Sequence, residues 1–209
     1  LDALVRLGID DQCRGDVEWA WGALLAHQGP DGSGARFDEA LPHLRVARSL
    51  LPKDDWHADL DRQLSHAMHA NGDLRGALAM AQAALVNASK LSDLEDRALI
   101  HGRLADLLAA SGDNDGAEQH FKEAIQILPQ GPNRNLLLLR YAGLLHVAHR
   151  DDEALDIANR LDPQDPSARP SDQQELARLK VRILRRLGRN DALPAAERDA
   201  AAKTRGTVW

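Results

Sequence analysis

The chain has 209 residues and contains 34 alanines and 34 leucines, but only 13 valines and isoleucines and seven aromatic residues. Alanine and leucine lose little side-chain freedom in a helix, whereas β-sheets favour the branched and aromatic residues that are scarce here. The composition therefore predicts an all-α protein and excludes a β-sandwich or a β-barrel. Because the formal net charge is −6, nonspecific binding of nucleic acid is not expected.

The sequence contains few signals that indicate a cellular compartment or proteolytic processing. The longest apolar runs, such as Leu136 to Leu139, are far shorter than the roughly 20 residues that cross a bilayer, so direct membrane insertion is not expected. The single cysteine, Cys13, cannot form an internal disulfide. The start at Leu1, without an initiator methionine or a secretion signal, is typical of a processed chain or a piece of a longer protein. We expect a cytoplasmic protein, with a periplasmic or membrane-associated larger protein as the alternative.

An alanine follows a polar turn at five places, at intervals of 37 to 40 residues. The five are Ala40, Ala77, Ala117, Ala154 and Ala192. Apolar residues recur four and seven positions after each of the first four, which is the spacing of one helix face. After Ala192 the second of these positions holds Asp199. A repeat of this period indicates stacked supersecondary units.

A second amphipathic segment precedes each alanine, so every unit is predicted to be a helix, a turn and a helix. Three of these segments end at Gly72, Gly112 and Gly188, where glycine can adopt the left-handed conformation that closes a helix. Small residues stand twelve positions before three alanines, which lets two helices approach closely. These small residues are Ser65, Ala105 and Ala142, with Gly22 in the equivalent place of the first pair and Lys180 in the last.

Five helix pairs follow from this pattern. The predicted helices cover residues 15–28 and 37–51, 57–71 and 74–89, 93–111 and 114–128, 134–149 and 151–161, then 171–187 and 190–203. We expect one repeat domain over residues 15–203, with an N-terminal flank at 1–14 and a C-terminal tail at 204–209, and with the last pair as an end cap.

The third pair resembles the tetratricopeptide repeat. The family's small, alanine, aromatic, alanine and proline positions match Ala105, Ala117, Phe121, Ala124 and Pro129. The resemblance covers residues 15–203 and is weakest in the last pair. It implies an α-solenoid of about five antiparallel helix pairs forming a right-handed superhelix, in which the first helix of each pair lines a concave groove.

The resemblance also implies which residues line that groove. They are Arg62, Gln63, His66, His69, Arg103, Asp106, Leu139, Arg140, Gly143 and His146. Gln63, Arg103 and Arg140 share one repeat position, and such a row can donate hydrogen bonds to the backbone or carboxylates of a peptide. The equally weighted alternative is that these residues only keep the surface soluble.

No catalytic or metal-binding motif stands out. His66 with His69, and His146 with His149, are each one helical turn apart, but two ligands are too few for a zinc site. Cys13 has no histidine partner in a recognisable motif. We therefore expect no cofactor, no metal and no enzymatic activity.

Two further features admit two interpretations. The strongest charge bias is a stripe of arginines along one helix, for which a solvated face is favoured over an anion-binding patch. The stripe consists of Arg178, Arg182, Arg185, Arg186 and Arg189. Among the tryptophans, Trp21 is predicted to lie in the core because it directly precedes Gly22, and Trp19 is left open between core and interface.

The sequence favours a non-catalytic protein-interaction module that binds a peptide or a partner helix in its groove. The partner's identity does not follow from the sequence, and an assembly of identical chains stays open. The alternative is a sensory or regulatory segment of a larger bacterial regulator, in which the helical repeats bind a small effector.

Overall fold

The computed structural model describes residues 10–27, 34–51, 57–88, 93–128, 131–161 and 169–205, and these ranges contain ten α-helices and no strand. The helices are α1 (Asp11–Ala26), α2 (Phe37–Leu50), α3 (His57–Ala70), α4 (Leu74–Ala88), α5 (Leu94–Ser111), α6 (Asn114–Ile127), α7 (Pro132–Val147), α8 (Asp151–Asn159), α9 (Pro170–Arg186) and α10 (Leu193–Arg205). Within these ranges, no helix has the length and apolar character of a membrane span.

The predicted all-α class and its ten helices are confirmed. The largest difference in a boundary is at α1, which begins at Asp11 rather than at residue 15. The cause is a local cap, because the backbone N–H of Cys13 donates to the Asp10 carboxylate at 2.7 Å. At the other end of the chain, α10 begins three residues later than predicted because residues 190–192 form a turn.

Contacts divide the chain into two compact units, residues 1–111 and 112–209. In the first unit, each of α1 to α4 packs on the next helix along the chain. In the second unit, each of α6 to α9 packs on the next helix, and α9 also contacts α7. Consecutive helix packing of this kind is the architecture of a helical repeat, because each element buries its apolar face mainly against its sequence neighbours.

The recurring alanines explain how the helices pack so closely. Ala40, Ala77, Ala117 and Ala154 are all 0% exposed. In the first unit, Ala77 and Ala81 of α4 pack in one apolar cluster with Leu104 and Leu107 of α5. The prediction that these alanines face the interior is confirmed for the first four pairs.

Gly22 shows how tight the first pair is. A Cβ atom at this position would lie 2.8 Å from the Leu44 side chain and 3.2 Å from the Leu44 backbone nitrogen. Since real Cβ atoms do not approach other atoms so closely, α1 and α2 can reach their present separation only with glycine here. Gly22 therefore has the predicted role of the small residue in this pair.

The turn inside each of the last four pairs places one residue in the left-handed backbone region. Gly72, Gly112 and Gly188 have the predicted positive φ angles of 83°, 90° and 67°. The fourth pair has no glycine at this place, and His149 adopts the same conformation with φ of 61°. Because left-handed φ is uncommon for a residue with a Cβ atom, this turn is the strained member of the set.

These turns also correct the predicted alignment of the last pair. Ala77 lies five positions after Gly72, and the residue five positions after Gly188 is Leu193, not Ala192. Ala192 is exposed in the turn. The helix pair thus carries Leu193 at the alanine position, and Val181 rather than Lys180 twelve residues before it. Both are larger than the residues that hold these two positions in the second and fourth pairs.

The prediction for Trp21 is wrong, since this side chain is 50% exposed. The buried positions of α1 include Gly15, Gly22 and Leu25, and a residue next to Gly22 in sequence is rotated by about 100° around the helix axis. Trp19, for which the sequence allows both core and interface, packs against the core of the first unit.

Candidate functional site

A cavity of about 370 Å³ lies in the first unit, between α1, the start of α2 and α3. Its lining residues are Ala23, Ala26, His27, Phe37, Arg62, Gln63 and His66. One side is apolar, contributed by α1 and Phe37, and the other side is polar, contributed by α3. Three of the residues predicted to line a groove, Arg62, Gln63 and His66, therefore meet at one concave site.

Asp59 of α3 binds the side chains of the polar side and lies one helical turn before Arg62 and Gln63. Its carboxylate accepts a hydrogen bond from Arg62 Nε at 3.0 Å and another from Gln63 Nε2 at 2.6 Å. Pairs spaced three and four residues apart lie on one helix face, so this arrangement is local to the sequence. It fixes both side chains in place before any partner binds.

The same contact leaves one acceptor of Gln63 without a donor. Because Nε2 points to the carboxylate, Oε1 points away from it, and this oxygen is shielded from solvent without a hydrogen bond. A buried acceptor without a donor costs roughly 1–3 kcal/mol.

Of the remaining predicted residues of the first unit, His69 and Asp106 are partly exposed and Arg103 is buried. Arg103 of α5 is only 6% exposed. It donates from Nη2 to the backbone oxygen of Ser65 at 2.9 Å and from Nε to the Ser65 hydroxyl at 3.3 Å. Burial, and secondarily the charge of Arg103, lower the pKa of His69, while Asp106 opposes this effect. Arg103 thus braces α5 against α3.

The other four predicted residues lie on α7 in the second unit. Leu139 is buried, and Arg140 is partly exposed. Gly143 faces open space, since a Cβ atom there would meet nothing within 4 Å. His146 Nδ1 lies 2.6 Å from Asp151 Oδ1. The side chain of His146 is therefore engaged inside the second unit.

Asp151 joins three elements of the second unit. Its carboxylate, at the start of α8, contacts His146 of α7 and also pairs with Arg186 of α9, whose Nη2 lies 2.7 Å from Oδ1. The hydrogen bond from Arg186, followed by that from His146, lowers the pKa of Asp151. Arg186 of the predicted arginine stripe thus has a structural contact.

Glu118 of α6 is the centre of a second charged network. Its carboxylate pairs with Arg150, accepts from the Tyr141 hydroxyl at 2.9 Å, and lies 2.6 Å from Lys122 Nζ. The hydrogen bond from Arg150 is the main reason that the pKa of Glu118 falls to about 2. Burial, followed by the hydrogen bond with Glu118, raises the pKa of Tyr141.

A second cavity, of about 360 Å³, lies between α9 and α10. Its lining residues are Arg178, Val181, Arg182, Arg185, Glu197 and Ala200. Of the predicted arginine stripe, Arg178, Arg182 and Arg185 line this cavity, while Arg189 instead pairs with Asp152 at 2.5 Å. The structure therefore separates the stripe into two groups with different contacts.

The apolar side of the first cavity was missed by the sequence analysis. A signal was present, because the spacing from Gly22 to Ala40 exceeds by six residues the spacing between the small residue and the alanine in the second, third and fourth pairs. Correcting for these six residues aligns His66 with Ala23 and His69 with Ala26. Both alanines line the cavity. As for metals, this cavity offers two histidines, His27 and His66, whereas zinc sites use three or four ligands.

Comparisons with known proteins agree with this architecture. The profile of the tetratricopeptide repeat family matches residues 108–183. The comparison with curated proteins gives no match. Among solved structures, BtubC (BKLC) from P. vanneervenii is similar with a TM-score of 0.69 and 17% identity, over 80% of this chain and 74% of that one. The nearly identical TPR-like repeats of a protein assigned as a kinesin light chain from Podosopora anserina give a TM-score of 0.66 and 17% identity, over 93% of this chain and 94% of that one.

Helix pairs in sequence order, closed by buried alanines, define a helical repeat protein. At 17% identity the solved structures show the fold alone, and the family match adds the kind of repeat. The family match identifies residues 108–183 as tetratricopeptide repeat sequence. Repeats of this family generally mediate contacts between proteins.

Proposed function

We propose that this chain is a non-catalytic interaction module that binds a peptide segment of a partner protein at the cavity of the first unit. The observation that carries this proposal is the pairing of an apolar side, formed by Ala23, Ala26 and Phe37, with the buried oxygen of Gln63 that lacks a donor. A peptide offers both complements, because its side chains are often apolar and every backbone N–H except that of proline is a donor.

The cavity is suited to one anchoring side chain rather than to a whole helix. An anchor that fills a preformed cavity contributes much of the binding free energy at an interface, while the surrounding contacts mainly exclude water. Asp59 holds Arg62 and Gln63 in place in the free protein, which reduces the entropy lost on binding. His69 and Asp106, which are partly exposed in the same unit, would extend the contact surface.

An experiment can use peptides selected from a displayed random library against the intact chain. The most enriched peptide is then titrated calorimetrically with wild type, with Ala23→Phe, and with Ala79→Phe. Ala23 lines the cavity, whereas Ala79 is exposed on α4 and serves as the matched control. We expect Ala23→Phe to weaken binding by about tenfold or more, as loss of an anchor site does, and Ala79→Phe to leave it unchanged.

A second pair of variants tests the polar side. Gln63→Leu removes the acceptor, and Gln82→Leu makes the same change at an exposed position of α4. Loss of affinity only in Gln63→Leu supports a donor from the peptide to Oε1. Equal affinity of wild type and Ala23→Phe would contradict the proposal.

The volume of the cavity also favours a second candidate function. About 370 Å³ is at the lower end of the range for small-molecule sites, as a regulatory segment that binds a small effector would need. In that case no peptide would be enriched, and a pure metabolite would raise the melting temperature of wild type but not of Ala23→Phe.

A further inference from the structure

The last helix pair differs in charge from the rest of the chain. Residues 170–205 contain nine lysines and arginines and five acidic residues, a formal net charge of +4, whereas the remaining residues carry −10. This separation of charge is independent of the cavity proposed above for the first unit. It gives the second unit a surface that attracts anionic groups to one place.

The cationic side chains of this pair border a concave site. Arg178, Arg182 and Arg185 are spaced four and three residues apart, so they lie on one face of α9. They surround the cavity of about 360 Å³ whose apolar part is formed by Val181 of α9 and Ala200 of α10. Three guanidinium groups thus stand around an opening that an apolar side chain can enter.

The guanidinium groups of this site are accessible. Arg182 Nη2 lies 2.8 Å from Glu175 Oε1, and Arg185 Nη2 lies 2.7 Å from Glu197 Oε1. Both arginines are about half exposed, and ion pairs in such positions contribute little to stability. Arg178 is exposed, and its guanidinium has no hydrogen bond or ion pair among the residues described. A partner carboxylate therefore competes with weak contacts only.

We propose that this arginine face (Arg178, Arg182 and Arg185) is a second docking surface that binds an acidic segment of a partner protein. The carboxylates of the segment pair with the planar guanidinium forks, which match carboxylate geometry. An apolar side chain between the acidic residues enters the cavity against Val181 and Ala200. Charge complementarity brings the segment to the surface, and the cavity sets its register.

The test uses the intact chain and a fluorescein-labelled probe peptide made of glutamates on both sides of a single leucine. Anisotropy measures its binding to wild type and to the triple variant Arg178→Gln/Arg182→Gln/Arg185→Gln. The control is Arg45→Gln/Arg75→Gln/Arg160→Gln, which makes the same change in net charge at exposed positions of other segments. We expect about tenfold weaker binding in the first variant and little change in the control, and weaker binding of wild type at high salt.

A further variant tests the cavity separately from the charges. Ala200→Leu fills the space beside Val181 without changing the net charge. We expect this variant to bind the leucine-containing probe more weakly, but to bind a probe with serine in place of leucine as wild type does. Ala23→Phe, in the first unit, should bind both probes like wild type, so failure of the peptide cavity proposed above would not affect this result.

Three results would overturn the proposal. The first is an equal loss of affinity in the two triple variants, which would indicate an effect of net charge alone. The second is more effective displacement of the probe by duplex DNA or polyphosphate than by the unlabelled peptide, which would indicate a phosphate site. The third is self-association of the chain that only the first triple variant abolishes, without peptide binding, which would indicate a second copy as the occupant.

Discussion

The second helix pair, α3 and α4, and the last pair, α9 and α10, both have a left-handed glycine in the turn between their helices. They differ in the surface that they form. In the second pair, Ser65 and Ala77 stand at the two small positions and both are fully buried. In the last pair, Val181 and Leu193 hold these positions, and a cavity of about 360 Å³ lies between the helices. The last pair thus combines larger side chains at these two positions with a cavity that Val181 helps to line.

The two pairs also use their charges differently. Asp61 of α3 is fully buried, accepts from Arg48 Nε at 2.5 Å, and accepts from Asn87 at 3.2 Å. The arginines of α9 at the second cavity instead make exposed contacts. A buried carboxylate requires such partners because its desolvation is costly. Asp61 thus binds residues of neighbouring helices in the interior, whereas Arg182 and Arg185 of the last pair make their contacts at the exposed surface.

We expect the largest effect on stability when the alanine position of the second pair is given leucine, the residue that the last pair has there. Ala77→Leu introduces three carbon atoms at a fully buried position that contacts Leu104 and Leu107 of α5. We expect a loss of about 3 kcal/mol in the free energy of unfolding, measured by urea denaturation, because overfilling a close-packed core forces its neighbours apart.

The matched control is Ala192→Leu, which adds the same atoms in the exposed turn before α10. There we expect a change within about 0.5 kcal/mol, as for most surface substitutions. A similar destabilisation by both substitutions would contradict the view that buried alanines close the first four pairs.

Much of the fold could be predicted because the signals are local. The helices follow from apolar spacing. Of the left-handed turns inside the last four helix pairs, three follow from glycine. His149 could not be predicted at the fourth turn, since nothing in its residue type requires a positive φ. In the last pair the sequence pattern indicates Ala192 as the repeated alanine, whereas the turn places Leu193 at that position. The predicted alignment of this pair is therefore wrong by one residue.

The candidate sites were less predictable because they depend on several helices. Arg62, Gln63 and His66 followed from the family resemblance, but the cavity beside them requires Ala23 and Phe37 from other helices. The unsatisfied oxygen of Gln63 depends on the orientation that Asp59 imposes. In the arginine stripe, sequence spacing alone could not separate Arg186, whose partner Asp151 is 35 residues away.

A smaller effect is predicted for the charged network of α6, α7 and α8, which is the counterpart of the exposed contacts on α9. The pKa of Glu118 is about 2, against an ordinary value of 4.5. A lowered pKa means that the carboxylate stabilises the fold above about pH 4.5 and loses this contribution as the pH falls toward 2. Because Arg150 is 39% exposed, solvent screening reduces the contribution to about 1–2 kcal/mol.

Urea denaturation of wild type and Glu118→Gln at about pH 6 and about pH 3 tests this prediction. The difference in unfolding free energy should fall by more than half at the lower pH. Leu155→Ala is the control, since a buried apolar side chain on α8 contributes equally at both pH values. A difference between wild type and Glu118→Gln that did not change with pH would show that Glu118 acts through its shape and not through its charge.

The smallest effect is expected for the ion pair of Arg185 and Glu197, which joins α9 to α10 beside the second cavity. Arg185 Nη2 and Glu197 Oε1 are 2.7 Å apart, but both side chains are largely exposed, at 61% and 45%. A double-mutant cycle with Arg185→Gln and Glu197→Gln should give a coupling energy of about 0.5 kcal/mol or less, because water and salt screen the pair. A coupling energy several times larger would mean that Arg185 is committed to holding the last pair together. Arg185 would then be less available to a partner carboxylate. The second and the last pair would no longer differ in how they use this charge, since in both the charged group would stabilise the packing of helices.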